Sequence, residues 1–434
     1  MNLRLIRQKD FSLLIFGKLV SLVGSNMLQF ALSLYVLAIT GSATIFASML
    51  SISILPRLLL SPIAGVFGDW FDRKRTIVLL DFINSIIIGS FAVIIVVEGD
   101  LTILLIYVLV ILLEVTEIFF QSSMSAVLPS LVKKEELMEA NSFNSLVMNI
   151  GNMLAPILAA FLYGAFGLKI ILMVSSVSFA LSAIIKTRIN IPRSHKQPEK
   201  IDIKTFKTDL MEGVKIIKSN KLISTMIGLG TIINFSISPL LSIGLIYIIK
   251  EILKVNDMQF GAFQMVLSAS MLLAPLFGGM IKKIKVGRLV FSSFMILAIL
   301  VFVMSIFTST FVLNASDSII IPYAGLLFVS FIIGVVATVA NIAIGTLFNQ
   351  VVPLEMMGRT SAVFNLAVTV FIPVGQMAFG FLYDTILPSV VVIIGGVILI
   401  GVTLIYKKVL VGYDEIDGSE VKVVNSGELS EANS

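Results

Sequence analysis

The chain has 434 residues, of which 57% are apolar and only 13% are charged, and it carries a net charge of +5 and a mean hydropathy of +1.05. Soluble domains contain about 25% charged residues, so this composition excludes a soluble enzyme, a soluble nucleic-acid-binding protein and a disordered protein. The sequence contains no cysteine and one histidine, His195, in a basic polar segment. We therefore expect an integral membrane protein without a cofactor, a metal site, enzymatic activity or a nucleic-acid partner.

Apolar segments long enough to cross a membrane recur along the chain. A spanning helix needs about 20 mostly apolar residues. The first segment follows Arg4, Arg7 and Lys9 and continues far beyond the apolar core of a signal peptide, so we expect it to be retained. Twelve spans are predicted, at residues 11–37, 43–68, 76–97, 101–128, 142–165, 168–187, 222–249, 258–281, 289–311, 321–349, 360–383 and 386–406.

Basic residues are distributed unevenly between the loops. With the N-terminus inside, 26 of the 31 Lys and Arg residues fall in cytoplasmic loops or termini, where Lys186 and Lys221 are counted at the edges of the longest loop. Only Lys169, Lys250 and Lys254 fall outside. Because Lys and Arg are enriched on the cytoplasmic side of membrane proteins, we expect a multi-pass protein of the plasma (inner) membrane. Both termini are then cytoplasmic, and membrane lipids surround the chain.

One long polar segment divides the chain. The sequence predicts an N-terminal six-helix bundle at 1–187, a cytoplasmic linker at 188–220, a C-terminal six-helix bundle at 221–409 and a disordered cytoplasmic tail at 410–434. Apolar residues recur in the linker at helical spacing, at Ile203, Phe206, Leu210, Val214 and Ile217. This pattern indicates an amphipathic helix on the inner leaflet, and a docking site for a partner is the alternative. We expect a monomer.

Short motifs repeat between the two halves. Phe143-Asn144 recurs at residues 364–365, and Phe161-Leu162-Tyr163 recurs at residues 381–383. The repeats fall on corresponding spans and at nearly the same separation. They indicate a six-plus-six duplication with parallel pseudo-symmetry.

The loop after the second span combines a glycine, a carboxylate and a basic cluster. Four residues match the signature G-x-x-x-D-R-x-G-R-[RK], namely Gly65, Asp69, Arg73 and Lys74. Trp70 and Asp72 replace the Arg and the Gly of that signature. The segment resembles the major facilitator superfamily, and the resemblance implies an all-α membrane protein with twelve transmembrane helices in two pseudo-symmetric bundles. It also implies a cytoplasmic latch in this loop, and we expect Asp81 to brace residues 65–75.

The fifth span carries a stripe of small residues around a proline. Gly151, Ala155, Pro156, Ala159 and Ala160 resemble the antiporter motif G-x-x-x-G-P-x-x-G-G, with Ala at three glycine positions. Ordinary close packing of helices is the alternative reading. Together with the segments 137–141 and 209–213, the pattern is similar to the macrolide-efflux branch of drug:proton antiporters.

Polar residues form stripes on the first, fourth, seventh and tenth spans, which line the central cavity in this family. Their spacing of three or four residues places each set on one helix face. Polar side chains within a membrane tend to face protein or water. We therefore expect a substrate cavity that includes Lys18, Ser25, Gln29, Gln121, Asn234, Ser238, Asn341 and Gly345.

Five charges lie clear of the predicted helix ends, namely Lys18, Arg57, Asp81, Glu114 and Glu117. A charge at the centre of a spanning helix costs about 2.5–3.5 kcal/mol, so these residues indicate function or mutual compensation. Arg57 and Glu117 lie at equal depth and are expected to pair. Because Glu114 and Glu117 are close enough to disfavour joint ionisation, we expect Arg57, Glu114 and Glu117 to couple transport to protons. A purely structural role for both carboxylates, as partners of Arg57 and Lys18, is the alternative.

The sequence contains no phosphate-binding G-x-x-x-x-G-K-[ST] loop, so ATP-driven pumping by this chain is not expected. We expect a secondary transporter that exports amphipathic small molecules, such as macrolide-like antibiotics, in exchange for protons. The alternatives on the same fold are a lipid flippase and an exporter of an endogenous metabolite such as a siderophore. A membrane enzyme is disfavoured because the sequence offers no catalytic His or Cys cluster.

The predicted orientation is testable because the chain is naturally free of cysteine. Ser42→Cys, in the first external loop, should react with a membrane-impermeant maleimide in intact cells. Ser194→Cys, in the linker, should react only after permeabilisation. Labelling of the Ser194→Cys variant in intact cells would contradict the orientation.

Overall fold

The computed structural model describes residues 5, 7–70, 72–133, 136–191, 220–273, 284–315, 318–352 and 357–414. The described residues form helices joined by short connections and contain no strand. The helices are α1 (Lys9–Thr40), α2 (Ala43–Trp70), α3 (Arg73–Glu98), α4 (Ile103–Leu131), α5 (Leu137–Thr187), α6 (Lys221–Pro239), α7 (Asp257–Leu273), α8 (Val286–Phe307), α9 (Thr310–Ala315), α10 (Ile320–Val351), α11 (Met357–Thr369), α12 (Phe371–Thr385) and α13 (Pro388–Tyr413). After α6 the chain continues through π-helical turns at Leu240–Gly244 and Ile248–Ile252, on either side of Leu245–Tyr247.

Ten helical segments of the described chain are long and apolar enough to cross a membrane. Two features account for the difference between these ten segments and the twelve predicted spans. The long helix α5 contains the fifth and sixth spans, which meet at Gly167, where φ of 71° and ψ of −172° break the helix. Glycine adopts this conformation without the steric penalty that other residues pay. The eighth predicted span is described only as far as residue 273, as α7. The predicted all-α fold is confirmed.

Residues at the helix ends satisfy backbone groups that the helices leave free. Asp72, which replaces a glycine of the family signature, is the N-cap of α3 and accepts a hydrogen bond from the Arg75 amide at 3.0 Å. Thr102 caps α4 in the same way through the Leu105 amide. Such caps stabilise a helix by about 1 kcal/mol, so local sequence sets where α3 and α4 begin.

The chain forms two compact units, Met1–Ile201 with Ile249–Ser268, and Asp202–Ile248 with Ala269–Ser434. Most of the predicted linker and tail lies at residues 192–219 and 415–434, outside the described residues. Within the second unit α13 continues to Tyr413, beyond the predicted end of the bundle at residue 409.

Within the first unit, α1 runs parallel to the first half of α5. Lys18 Nζ donates to Asn144 Oδ1 at 2.7 Å, and Asn26 Nδ2 donates to Asn152 Oδ1 at 2.8 Å. From the first bonded pair to the second, the residue number increases by the same amount on both helices. This pattern is typical of parallel helices. The first and fifth spans therefore cross in the same direction.

The second half of α5 runs antiparallel to α1 through serine hydroxyls. Ser182 Oγ donates to the Gly17 carbonyl at 2.8 Å, and Ser175 Oγ donates to the Gly24 carbonyl at 2.9 Å. Here the residue number increases along α1 while it decreases along α5, as in antiparallel helices. The alternation of direction along α5 is what a chain that crosses a membrane repeatedly requires.

The second unit repeats these neighbour relations. Asn234 of α6 donates to the Val368 carbonyl of α11 at 3.1 Å, and Phe235 contacts Gly375 of α12, so α6 runs parallel to α11 and α12. The antiparallel packing of α13 on α6 is seen at the contacts Gly228–Tyr406 and Leu240–Gly395. Each unit therefore pairs its first span with its fifth and sixth, in agreement with the repeated sequence motifs.

A buried ion pair joins α3 to the second half of α5. Lys186 Nζ lies 2.6 Å from Asp81 Oδ2, and both side chains are at most 1% exposed. Ser182 Oγ lies 2.7 Å from the same oxygen, and Lys186 Nζ lies 4.4 Å from the ring centroid of Phe120 in α4. Asp81 thus pairs with α5, and because the side chains of residues 65–71 lie outside the described residues, its bracing of residues 65–75 stays a prediction. Lys186 was counted with the basic residues of the cytoplasmic linker, but it is buried within the bundle, inside the predicted sixth span at 168–187.

Removing one member of this pair should strongly destabilise the protein. Lys186→Met leaves the Asp81 charge buried without a cation, which costs about 3–5 kcal/mol in comparable cases. The double variant Asp81→Asn/Lys186→Met should recover most of the loss, and Lys169→Met, at an exposed position, should have no effect. Thermal unfolding in detergent measures the series, and equal stability of the single and double variants would contradict the prediction.

A second prediction concerns the close approach of α12 to α6. A Cβ atom at Gly375 would overlap the backbone oxygen of Phe235, and backbone cannot move aside as a flexible side chain does. Gly375→Ala should therefore lower the free energy of unfolding by about 1–3 kcal/mol. Gly401→Ala is the matched control, since a Cβ atom at that position would meet no neighbouring atom within 4 Å. Identical unfolding temperatures for the two variants would refute the predicted clash.

Candidate functional site

A cavity of about 250 Å³ lies within the first unit and is lined by α1 to α4 and by Phe179 of α5. Its apolar walls include Leu22, Leu113 and Phe120. Its charged and amide-bearing residues are Lys18, Asn26, Gln29, Arg57, Asp81, Asn84, Glu114, Glu117 and Gln121. Charged groups and apolar walls in one cavity suit a ligand that is itself amphipathic.

The residues predicted to line a substrate cavity divide between the two units. Lys18, Ser25, Gln29 and Gln121 line the cavity of the first unit. The remaining four lie in the second unit, where Asn234 binds the Val368 carbonyl, Ser238 is half-buried, and Asn341 and Gly345 of α10 are exposed.

Arg57 of α2 binds Glu114 of α4, not Glu117 as expected. Arg57 Nε and Nη2 lie 2.7 and 2.6 Å from Glu114 Oε1. The reason is the register of two parallel helices, since Ser122 Oγ of α4 donates to the Ala64 carbonyl of α2 at 2.5 Å. That register places Arg57 opposite Glu114. Glu117 lies three residues farther, about 4.5 Å along the axis.

Glu117 has a different environment from Glu114. It accepts a hydrogen bond at 2.5 Å from Gln121 Nε2, one turn along α4, and it forms no ion pair with any described residue. One carboxylate of the cavity is thus neutralised by a guanidinium, while the other is held by a neutral amide. Glu117 can take up or release a proton without breaking an ion pair.

The predicted cytoplasmic latch is described only in part. At Gly65 and Asp69 the structure describes only the backbone, which is helical as part of α2. Arg73 and Lys74 are half-buried in the first turn of α3. The latch role of these four residues stays a prediction.

The small-residue stripe of α5 packs against neighbouring helices. A Cβ at Gly151 would lie 2.6 Å from Leu22 Cδ2 of α1, and Ala155 and Ala159 are fully buried. On α7, a Cβ at Gly261 would lie 3.2 Å from the carbonyl of Pro156. In the first unit these residues provide the close helix approach that small side chains allow.

Sequence reasoning missed Lys186 and Asn144. The sequence feature that could have identified Lys186 is the isolated acid Asp81, because a charge within a membrane helix requires a partner. Asn144, the partner of Lys18, belongs to the repeated Phe-Asn motif. Among the described residues no group of three or more His, Cys, Asp or Glu side chains could hold a metal ion.

Comparison with other proteins gives partial matches in sequence. Macrolide efflux protein A of Streptococcus pyogenes is 25% identical over 224 residues, which cover 52% of this chain and 55% of that protein. The chain therefore spans only about half the length of this relative. An uncharacterized MFS-type transporter of Bacillus subtilis, YkuC, is 25% identical over 378 residues, which cover 82% of this chain and 81% of that protein.

The comparison of folds covers almost the whole chain. The crystal structure of a bacterial homologue of the iron transporter ferroportin, in an inward-facing state, superimposes with a TM-score of 0.69. The match covers 92% of this chain and 99% of that chain, and at 16% identity it establishes the fold alone. A sequence model of the Major Facilitator Superfamily matches residues 14–376. The match extends over most of the chain, which belongs to the Major Facilitator Superfamily.

Proposed function

We propose that the protein exports amphipathic small molecules, such as macrolide-like antibiotics, in exchange for protons and by alternating access. One observation carries the proposal. Glu117 lies in the cavity without an ion-pair partner among the described residues, beside a second carboxylate that Arg57 already neutralises. The partial similarity to macrolide efflux protein A supports the proposed substrate class.

The two carboxylates have different roles in this proposal: Glu114 stabilises the helix packing and Glu117 binds the substrate. Glu114 remains bound to Arg57 and holds α2 against α4. Glu117, when ionised, attracts a cationic or polar group of the substrate. A proton on Glu117 removes that attraction, so that the protonated and ionised states differ in substrate affinity. Such a difference is what links a proton gradient to substrate movement.

The conformational part of the proposal uses the end of α2 and the first turn of α3. We assign Asp69, Arg73 and Lys74 to a latch that stabilises one state of the transport cycle. Asp72, as the N-cap of α3, fixes where the basic residues begin. Because switching between two states requires contacts that are made in one and broken in the other, loss of Arg73 should slow the cycle more than it lowers stability.

The proton-coupling role is tested by Glu117→Gln in proteoliposomes with an imposed pH gradient and radiolabelled erythromycin as the probe. We expect this variant to lose uphill transport because its side chain cannot exchange a proton. Erythromycin binding should remain measurable and become nearly independent of pH.

Two controls separate Glu117 from its neighbours. The double variant Arg57→Gln/Glu114→Gln removes the ion pair as a unit and should retain pH-dependent binding, because Glu117 is unchanged. Glu98→Gln, at an exposed position at the end of α3, should behave as wild type. If Glu117→Gln concentrates erythromycin against a gradient with wild-type pH dependence, Glu117 does not couple protons.

A further inference from the structure

Lys18 is a buried cation that lines the cavity and has one neutral partner. Lys18 is 9% exposed, and its Nζ donates a hydrogen bond to Asn144 Oδ1 at 2.7 Å. No carboxylate of the described chain lies within 4 Å of this nitrogen. An ammonium group carries three donors. Two of them therefore make no bond to the described protein and remain available to a ligand.

Arg57, the other cation of the lining, is already held by Glu114. Lys186, outside the lining, is held by Asp81. A buried charge is costly unless it is paired and hydrogen-bonded. Lys18 on α1 and Glu117 on α4 are thus two oppositely charged groups in one cavity, and neither forms an ion pair with another described residue.

We propose that Lys18 binds an anionic or strongly hydrogen-bond-accepting group of the substrate, so that the cavity selects amphipathic molecules that carry both a cationic and an anionic group. The proposal rests on the proposed function, in which Glu117 attracts the cationic part of the substrate. It goes further by naming zwitterionic amphiphiles as the preferred class and Lys18 as the residue that selects them.

The charges of the cavity explain the selection. A simple lipophilic cation gains the attraction of Glu117 but leaves Lys18 unpaired and is repelled by it. A simple anion gains Lys18 but is repelled by Glu117. A zwitterion with an apolar chain pairs with both groups and places its chain against Leu22, Leu113 and Phe120. A hydrogen bond to a charged group should then improve affinity by about tenfold or more.

The test uses two probes that share an octyl chain and a quaternary ammonium centre, and that differ in one substituent on the nitrogen. Octyltrimethylammonium carries the cation alone, and octyl sulfobetaine carries a sulfonate in addition. Binding to the full-length protein in phosphatidylcholine nanodiscs is measured by isothermal titration calorimetry, with empty nanodiscs subtracted. The wild-type protein should bind the sulfobetaine about tenfold more tightly than the cation.

Variants of Lys18 assign the preference to one side chain. Lys18→Met should bring the ratio of the two dissociation constants close to one, and Lys18→Arg should restore it. Lys169→Met, at an exposed position, should keep the wild-type ratio. A wild-type protein that does not bind the sulfobetaine, that binds both probes equally, or whose preference survives in Lys18→Met would overturn the proposal.

The same measurements distinguish this proposal from proton coupling. Calorimetry without a gradient reports binding alone, so a protein that fails to couple protons can still show the Lys18-dependent preference. That outcome would reject the proton-coupled mechanism and leave the substrate class standing. Loss of pH dependence in Glu117→Gln together with an unchanged probe ratio in Lys18→Met would reject the substrate class alone.

Discussion

The ion pair between Asp81 and Lys186 is the contact on which the cavity of the first unit depends. It joins α3 to the second half of α5, and the Phe120 ring of α4 covers the ammonium group. Ser182 Oγ lies within hydrogen-bond distance of both Asp81 and the Gly17 carbonyl, which brings α1 to the same point. Because breaking a buried pair leaves an uncompensated charge, the four helices resist separation here. Three of them, α1, α3 and α4, form walls of the cavity, and Phe179 extends α5 into it.

The two units achieve their packing by different chemistry. In the first, serine hydroxyls, asparagine amides and charged groups bond across the helices α1, α3 and α5. In the second, aromatic side chains lie against glycines, as Tyr406 does at Gly228 and Phe302 does at Gly396. Small residues permit close approach in a lipid environment, where burial from water provides little driving force. The second unit also has polar contacts, such as Asn234 with the Val368 carbonyl, but the buried ion pair and the polar contacts that surround a cavity lie in the first.

The sequence was sufficient for the helices and for the duplication, but not for the pairing of the charges. Apolar runs define spans because their length must match the membrane. Counting residues from the helix ends places Arg57 and Glu117 at equal depth and so predicted that they pair. Such a count ignores the stagger between neighbouring helices. That stagger is fixed by contacts such as Ser122 with Ala64, which no count along one helix reveals. Lys186 was counted with the basic residues of the linker because it lies at the end of the predicted sixth span, beside a long polar segment.

The break at Gly167 makes α5 a hairpin of two helical arms. Its two halves meet at a single residue, with no loop to absorb movement. The first half carries Asn144, which holds Lys18, and the second half carries Lys186, which holds Asp81. Asn152 and Gly151 also hold the first half to α1, so both arms are fixed to the bundle and the angle between them is set at one glycine. Any other residue at position 167 would strain that angle, because a φ of 71° favours glycine.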